Sequence, residues 1–146
     1  MKISAKGRYG LVAMTHLAQC YESNMPITII SISNKLGISK IYLEQVFSLL
    51  KRGMLVISIK GSQGGYQLAR KPAEITVYDI LSAIELSLME QTISESRIPE
   101  LDKAINENVY NPLDEGINEI LKSVNLEDLL SAVNKEMDAS SQMYFI

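Results

Sequence analysis

The chain has 146 residues, of which 47% are hydrophobic and 21% charged, and a formal net charge of −3. This length suits one well-packed core and leaves little room for two large domains. The apolar runs, such as residues 55–59, are too short to span a bilayer, and Lys2 precedes polar residues rather than the apolar stretch of a signal peptide. We therefore expect a cytoplasmic protein with no membrane partner. The single cysteine, Cys20, excludes an intrachain disulfide framework and a multi-cysteine metal site.

The charges are divided unevenly along the chain. Residues 1–72 hold ten lysines and arginines against two acids, a net charge of +8. Residues 73–146 hold four against fifteen, a net charge of −11. A basic half joined to an acidic half indicates a region that binds a polyanion, followed by a region with another task. The alternative is that both charge clusters are ordinary solvated surfaces.

The basic half predicts three helices. A helix over residues 4–22 would bury a stripe at i, i+4, i+8 and i+11. The residues of this stripe are Tyr9, Ala13, Leu17 and Cys20. A short helix over residues 30–36 ends at Gly37, and a third runs from the N-cap residue Ser39 to Gly53. Two helices joined by a tight glycine-containing turn form a helix-turn-helix.

A β-hairpin is predicted directly after the third helix. Residues 55–59 are rich in β-branched side chains, and residues 66–68 would form the return strand. Between them Gly61, Gly64 and Gly65 permit the backbone geometry of a tight tip. A helix able to enter a major groove, followed by such a hairpin, is typical of a winged helix-turn-helix.

The acidic half predicts further helices around a connector. Thr76 would cap a helix with Val77, Ile80, Leu81 and Ile84 on its apolar face. Residues 86–98 lose periodicity and are interpreted as a loop or flexible connector, and residues 100–108 as a helix. Pro112 would lie in the first turn of another helix, whose apolar seam consists of Leu113, Ile117, Ile120, Leu121 and Val124. Asn125 would cap the last helix, whose inward residues are Leu126, Leu129, Leu130, Val133 and Met137.

The third helix presents two different faces. Leu43, Phe47 and Leu50 follow i, i+4 and i+7 and should face the core. The other face begins with Lys40 and Glu44. The alternative interpretation is a solvated face with a Lys40–Glu44 pair that contributes a few tenths of a kcal/mol.

Residues near the start of the third helix suit contact with DNA. Glu44 and Gln45 can meet cytosine N4 or the N6 and N7 atoms of adenine, and Ile41 can pack on a thymine methyl group. The residues that would hold phosphates and set the register are Lys40, Tyr42 and Lys51.

Cations outside this helix extend the candidate DNA-binding surface. Lys60 lies at the start of the hairpin tip, where Gly64 and Gly65 let the backbone approach a groove, so it suits a minor-groove or phosphate contact. The alternative is an ordinary polar hairpin. Three further cations at the start of the first helix would lie beside free backbone amides that favour a phosphate. They are Lys2, Lys6 and Arg8.

The sequence offers no credible catalytic set. His16 has no second His or nearby Cys with which to form a metal site, and Cys20 is interpreted as a buried structural thiol. The carboxylates of the acidic half are scattered at helix-surface spacing. We therefore expect a protein that is not an enzyme, with no metal and no cofactor.

The motifs of the basic half resemble those of a family of winged-helix repressors that includes the iron–sulfur cluster regulator and the repressor of cysteine metabolism. The motifs are Met1-Lys2-Ile3-Ser4, Lys6-Gly7-Arg8-Tyr9-Gly10, Tyr42-Leu43-Glu44-Gln45, Gly61 with Gly64-Gly65-Tyr66, and Asp79-Ile80. The resemblance covers roughly residues 1–85, and the acidic half matches by pattern only.

The resemblance implies a mainly α fold with a small β-hairpin. Residues 1–85 would form the winged helix-turn-helix domain, and residues 86–146 a helical dimerisation and regulatory region that uses the seam from Leu113 to Val124. The protein would bind double-stranded DNA as a homodimer on a partly palindromic operator. Ser39, Glu44 and Gln45 would lie at the major groove, and Lys60, where many members carry arginine, at the minor groove.

The resemblance also implies how the protein is controlled. Cluster-binding members carry three cysteines after the fourth helix, and residues 86–106 contain none, so a cluster of that type could not be held. An aromatic-rich tail, Tyr144, Phe145 and Ile146, resembles the cysteine-metabolism subgroup, which is regulated by a complex with cysteine synthase. Ile146 would then mimic the terminal isoleucine with which serine acetyltransferases enter that enzyme. Two alternatives stay open: the tail packs on its own dimer, or the protein regulates a partner enzyme directly.

Overall fold

Three helices begin the fold, each with a hydroxyl side chain that caps its first turn. The computed structural model describes residues 2–144, and Tyr144 by its backbone alone. The first three helices are α1 (Ala5–Gln19), α2 (Ile29–Leu36) and α3 (Lys40–Arg52). Their N-caps Ser4, Thr28 and Ser39 accept hydrogen bonds from the N–H groups three residues on, which would otherwise lack a partner.

The hairpin is antiparallel and pairs with a third short segment. Its strands are β1 (Val56–Ile59) and β2 (Gly65–Leu68), with Val56 opposite Leu68. Ile27, before α2, exchanges two backbone hydrogen bonds with Tyr66, at 2.9 and 2.8 Å. This hairpin, which forms the wing, is therefore held both by the pairing of β1 with β2 and by hydrogen bonds to the loop before α2.

The core lies where the helices of the basic half meet α4 (Val77–Ile84). Its largest fully buried side chains include Met14, Ile32, Leu43, Phe47, Leu50 and Ile80. The predicted inward positions of α3 are thereby confirmed. Thr76 and Asp79 form a reciprocal capping box at the start of α4, which begins at the predicted position.

The buried stripe of α1 differs from the predicted one. Tyr9 is exposed and Cys20 is only half-buried. The buried face is instead formed by Gly7, Gly10, Ala13, Met14, Leu17 and Ala18. The difference arises because α1 approaches α4 so closely that a Cβ at Gly10 would overlap the Ile84 side chain. Small residues rather than the larger apolar ones occupy such a contact.

One long helical rod replaces the two helices that were expected on either side of Pro112. Its parts are α5 (Pro99–Ile105), a π-helical segment (Asn106–Tyr110) and α6 (Asn111–Ser123). Pro112 lies in the first turn of α6, as predicted, but α6 continues from the π-helical segment without a break. Proline has no N–H to donate and clashes with the preceding turn of a regular helix. The wider π-helical turn immediately before it accommodates both effects without ending the rod.

The segment before the rod is anchored by hydrogen bonds rather than free. After a 3-10 turn (Leu86–Met89), residues 90–98 form the predicted loop. The Ser96 backbone N–H lies 2.9 Å from both carboxylate oxygens of Asp102, and the Ser94 hydroxyl donates to one of them at 2.8 Å. The Ser96 N–H, with help from the Ser94 and Ser96 hydroxyls, holds the pKa of Asp102 below its usual value against partial desolvation. Its stabilising effect is therefore present above the ordinary carboxyl pKa and is lost as pH falls through the lowered value.

The acidic half completes the core of the basic half through α7 (Leu126–Tyr144). Leu126 is fully buried, and its N–H donates to the Ile75 carbonyl at 2.9 Å. Asn125 caps the helix as expected, in a reciprocal pair with Asp128. Met137, however, is exposed rather than inward, because it lines an open groove between α7 and α1. Phe145, Ile146 and the side chain of Tyr144 lie outside the described residues. None of the helices described is long and apolar enough to cross a membrane.

Gly65→Ala should lower the free energy of unfolding by about 1–3 kcal/mol, since Gly65 has φ +151° and a Cβ would overlap the Ile27 backbone. Gly116→Ala is the matched control. Gly116 lies within α6 with open space around it, so alanine there should stabilise the helix by about 0.5–1 kcal/mol. Urea unfolding of both variants checks the prediction, and equal effects of the same sign would contradict it.

Candidate nucleic-acid interface

The start of α3 is presented to solvent by a tightly bonded turn. Gly37 adopts φ +68°, and Ile38 is buried directly before the helix. The Ser33 hydroxyl of α2 donates to the Ile38 carbonyl at 2.6 Å. Ser39 then accepts the Tyr42 N–H at 3.4 Å. These contacts fix the angle between α2 and α3, so the first turn of α3 projects from the core in a defined direction.

The exposed face of α3 carries the groups that were predicted to meet base edges. Glu44 and Gln45 are exposed, and Ile41 is 70% exposed although it is apolar. Lys40 lies 3.9 Å from Glu44, with both side chains more than half exposed. An ion pair of that kind contributes at most about 1 kcal/mol, so both groups are free to exchange it for a nucleic-acid partner.

Tyr42 links α3 to the start of α1. Its side chain is half-buried, and its ring meets that of Tyr9 edge-on, with centroids 5.3 Å apart and an interplanar angle of 88°. Such edge-to-face pairs add to the stability gained from buried area. The contact places the first turns of α1 and α3 side by side. Arg8, the exposed neighbour of Tyr9, is thereby brought to the same region as the start of α3.

The wing is oriented by a second aromatic contact. Tyr66 of β2 packs on Phe47 of α3, with ring centroids 4.8 Å apart. Lys60 lies exposed at the tip, where the Gly64 N–H donates to the Gly61 carbonyl at 3.0 Å. A Cβ at Gly64 would overlap the Ile59 carbonyl, which keeps the tip free of side-chain bulk.

The remaining predicted cations are solvent-accessible at two places. Lys2 is exposed before α1, and Lys6 is half-buried in its first turn. Lys51 is exposed in the last turn of α3, about 16 Å along the axis from Lys40 at 1.5 Å per residue. The structure thus brings the starts of α1 and α3 together and leaves Lys51 at the far end of the helix.

A second surface consists of exposed apolar side chains on the long rod and near α7. Of the predicted seam, Leu113 and Ile120 are exposed, whereas Ile117, Leu121 and Val124 are half-buried. The exposed pair continues an apolar stripe that the sequence analysis missed, namely Leu101, Ile105 and Val109. An i, i+4 spacing runs from Leu101 to Leu113, and Ile120 follows seven residues later; the stripe is continuous because α5 and α6 form one rod. A separate, open apolar groove of about 960 Å³ lies between α1 and α7.

A capped helix exposed over a helix-turn-helix core and followed by a two-stranded wing defines a winged helix-turn-helix DNA-binding protein. The family model of Rrf2, described as iron-dependent transcriptional regulators, matches residues 3–132. The chain belongs to the Rrf2 family. It is accordingly a transcriptional regulator and not an enzyme.

Individual relatives agree with this assignment. The chain is 36% identical to the HTH-type transcriptional regulator CymR of Bacillus subtilis over 146 residues, which cover 100% of both chains. The solved structure of that protein, described as the global cysteine regulator, matches with a TM-score of 0.74 over 90% of this chain and 98% of its own. The structure of IscR from T. potens matches at 37% identity and a TM-score of 0.73, over 91% of this chain and 88% of its own.

The residues after α4 do not fit an iron–sulfur cluster. Such clusters are held by cysteine thiolates, and the one cysteine of the sequence, Cys20, follows α1. The loop carries Thr92, Ser94 and Ser96, whose N–H groups donate to oxygen atoms of the rod. Within residues 2–144, no three His, Cys, Asp or Glu side chains are grouped to hold a metal ion.

Lys40→Ala should weaken DNA binding and lower the slope of log K against log salt by about one, because one phosphate contact is lost. Its free energy of unfolding should change by less than about 0.5 kcal/mol, since the Lys40–Glu44 pair is exposed. Lys103→Ala is the matched control, because it removes a similar exposed i, i+4 pair, Lys103–Glu107, from the acidic half. Fluorescence anisotropy with a duplex selected from a random library would measure both, and identical DNA binding by the two variants would contradict the assignment.

Proposed function

We propose that the protein is a homodimeric repressor that binds a partly palindromic operator and controls genes of cysteine and sulfur metabolism in the cytoplasm. The observation that carries the proposal is the exposed start of α3, held beside the wing by the contact between Phe47 and Tyr66. We assign residues 1–85 to DNA binding and residues 86–146 to dimerisation and control.

Base recognition is assigned to the exposed first half of α3. Glu44 and Gln45 offer the acceptors and donors that recognise cytosine and adenine in the major groove, and Ile41 offers an apolar contact for a thymine methyl group. Ser39, at the N-cap, lies at the same end of the helix. The 70% exposure of Ile41 supports this role, since the core of the single chain gives that side chain no partner.

Phosphate and minor-groove contacts are assigned to the surrounding cations. The starts of α1 and α3 meet at the Tyr9–Tyr42 contact, so phosphate contacts from Lys6, Arg8 and Lys40 would fall on neighbouring parts of the backbone. Lys60 at the glycine-rich tip is assigned to the minor groove. The remaining phosphate contacts are assigned to Lys2, Tyr42 and Lys51.

Dimerisation is assigned to the long rod. Its exposed apolar stripe, from Leu101 to Ile120, extends over about 29 Å at the rise of an α-helix. A continuous exposed apolar stripe of this length is typical of a protein interface. The open groove between α1 and α7 offers a second apolar surface to the same partner. Two subunits would place their α3 helices about 34 Å apart, one turn of DNA.

The metabolic assignment rests on likeness to CymR of Bacillus subtilis over the full length of both chains. We propose cysteine synthase as the controlling partner, with the tail Tyr144, Phe145 and Ile146 as the docking segment. The serine-rich loop after α4, hydrogen-bonded to the rod, supports control by a partner rather than by a cluster.

Binding to DNA should fall steeply with salt and depend on sequence. Glu44→Ala should change base preference at one position by about 1–3 kcal/mol, whereas Lys60→Ala should weaken binding to all duplexes. Selection from a random duplex library, followed by anisotropy at several salt concentrations, measures both effects. Equal binding of all sequences, with no dependence on salt, would refute the proposed function.

A charge on the exposed stripe should separate the subunits. Leu113→Glu combined with Ile120→Glu should shift the protein from dimer to monomer in sedimentation equilibrium, since it buries carboxylates in an apolar contact. Met25→Glu is the control, because Met25 is equally exposed but lies on the loop before α2. A double variant that remains dimeric would exclude the rod as the interface.

Deletion of residues 143–146 should abolish binding to cysteine synthase and leave DNA binding intact. Isothermal titration of the deleted and full chains against the purified synthase is the measurement. Unchanged affinity in a folded dimer would show that the tail is not the docking segment.

A further inference from the structure

The start of α1 is hydrogen-bonded to a carboxylate from the far end of residues 1–85. Glu85 directly follows α4, and its Oε1 atom accepts the Ser4 backbone N–H at 2.6 Å. Ser4 is the N-cap residue of α1, and its hydroxyl accepts the Gly7 N–H at 3.1 Å. Two backbone N–H groups at this helix end therefore have acceptors: Ser4 Oγ accepts from Gly7, and Glu85 accepts from Ser4.

These two hydrogen bonds reproduce a capping box in which the acid comes from another element. In a capping box the N-cap hydroxyl accepts from the third helical residue, and a Glu or Gln at that third position accepts from the N-cap N–H. The third residue of α1 is Gly7, which has no side chain to do this. A Cβ at Gly7 would overlap the Glu85 carboxylate. The glycine therefore leaves the space that the distant carboxylate occupies.

We propose that Glu85 is a positioning residue for DNA binding, which completes the α1 capping box and so holds the phosphate-facing start of that helix. The inference rests on the proposed function, because it takes Lys6 and Arg8 in the first turns of α1 as phosphate contacts. The Glu85 carboxylate also lies at the positive end of the α1 dipole, where a negative charge is stabilising.

Glu85 also connects the acidic half to this helix end. The 3-10 turn begins at the next residue, Leu86, and the Leu88 N–H donates to the Glu85 carbonyl at 3.1 Å. A displacement of this turn therefore moves the residue that caps α1. The Glu85 side chain and its hydrogen bond to Ser4 would thus connect the acidic half to the proposed phosphate contacts.

Glu85→Ala should affect DNA binding in two ways that oppose each other. Removing a negative charge close to Lys6 and Arg8 would by itself strengthen DNA binding. Losing the cap would weaken DNA binding by about fivefold, because the loss of a helix cap typically changes a helix equilibrium by that factor. The slope of log K against log salt should also fall by about one, since a phosphate contact is no longer held in place.

Two control variants separate charge from positioning. Glu85→Gln keeps an oxygen that accepts the Ser4 N–H and should bind DNA within about twofold of the wild type. Glu22→Ala removes another exposed acid of residues 1–85, just after α1, and should bind as tightly as the wild type or more tightly. Anisotropy uses a duplex selected by the wild-type protein. The proposal is overturned if Glu85→Ala binds as tightly as Glu22→Ala, or if Glu85→Gln binds as weakly as Glu85→Ala.

Gly7→Ala provides a second way to displace the carboxylate. It should weaken DNA binding in the wild-type background and have a smaller effect in the Glu85→Ala background, because only the overlap with the Ile3 side chain then remains. Such non-additivity is expected of residues in contact or in one hydrogen-bond network, and not of distant independent sites. Additive effects of the two substitutions would overturn the proposal.

Hydrogen exchange tests the contact without DNA. Glu85→Ala should speed amide exchange in the peptide that covers the first turn of α1 and leave α7 unchanged, whereas Glu85→Gln should retain protection. Unchanged exchange at α1 overturns the proposal. If instead the wild-type protein binds no selected duplex, the proposed function fails, and the exchange result still decides whether Glu85 caps α1.

Discussion

The fold depends on the close approach of α1 to α3 and α4 through a face of glycine and alanine. At Gly10 the two neighbours are Ile84 of α4 and Val46 of α3, and no side chain separates them from the α1 backbone. Helices that approach so closely must present small residues, and the dense packing that results transmits small displacements. The parts of the DNA-binding surface are positioned around this contact. It brings the cations at the start of α1 beside the start of α3, and it gives α7 a surface against which to pack.

The charge asymmetry of the chain corresponds to two kinds of surface in the fold. Among the described residues, the basic half presents capped helix starts and a glycine-rich wing tip, where polar groups point to solvent from rigid elements. The acidic half presents an apolar stripe flanked by carboxylates, and a loop held by Asp102. The two halves are nevertheless joined physically, since Leu126 of α7 is buried in the core of the basic half. A signal received in the acidic half would have a packed route to the DNA-binding surface.

Local signals predicted the elements well where they agreed with the packing. Ser39 and Gly53 delimit α3 correctly, because capping hydroxyls and glycine act over three or four residues. The stripe of α1 was wrong at Tyr9 and Cys20, since periodicity gives the spacing of a buried face but not which face the neighbouring helix can approach. Pro112 lies in the first turn of α6 as predicted, but a proline inside a helix is costly, so the sequence indicated a break before it. The π-helical turn that joins α5 to α6 and removes this cost depends on the rest of the rod.

The order of the elements, the exposed face of α3 and the lack of cysteines for a cluster all follow from the amino-acid sequence alone. These are matters of local capping, of periodicity and of composition, and each acts within a few residues of the chain. The continuity of the rod and the packing of Tyr9 against Tyr42 depend instead on tertiary contacts. The same holds for the hydrogen bond between Glu85 and Ser4, which are 81 residues apart in the chain. Contacts between residues so far apart depend on how closely helices pack, and no local pattern encodes that distance.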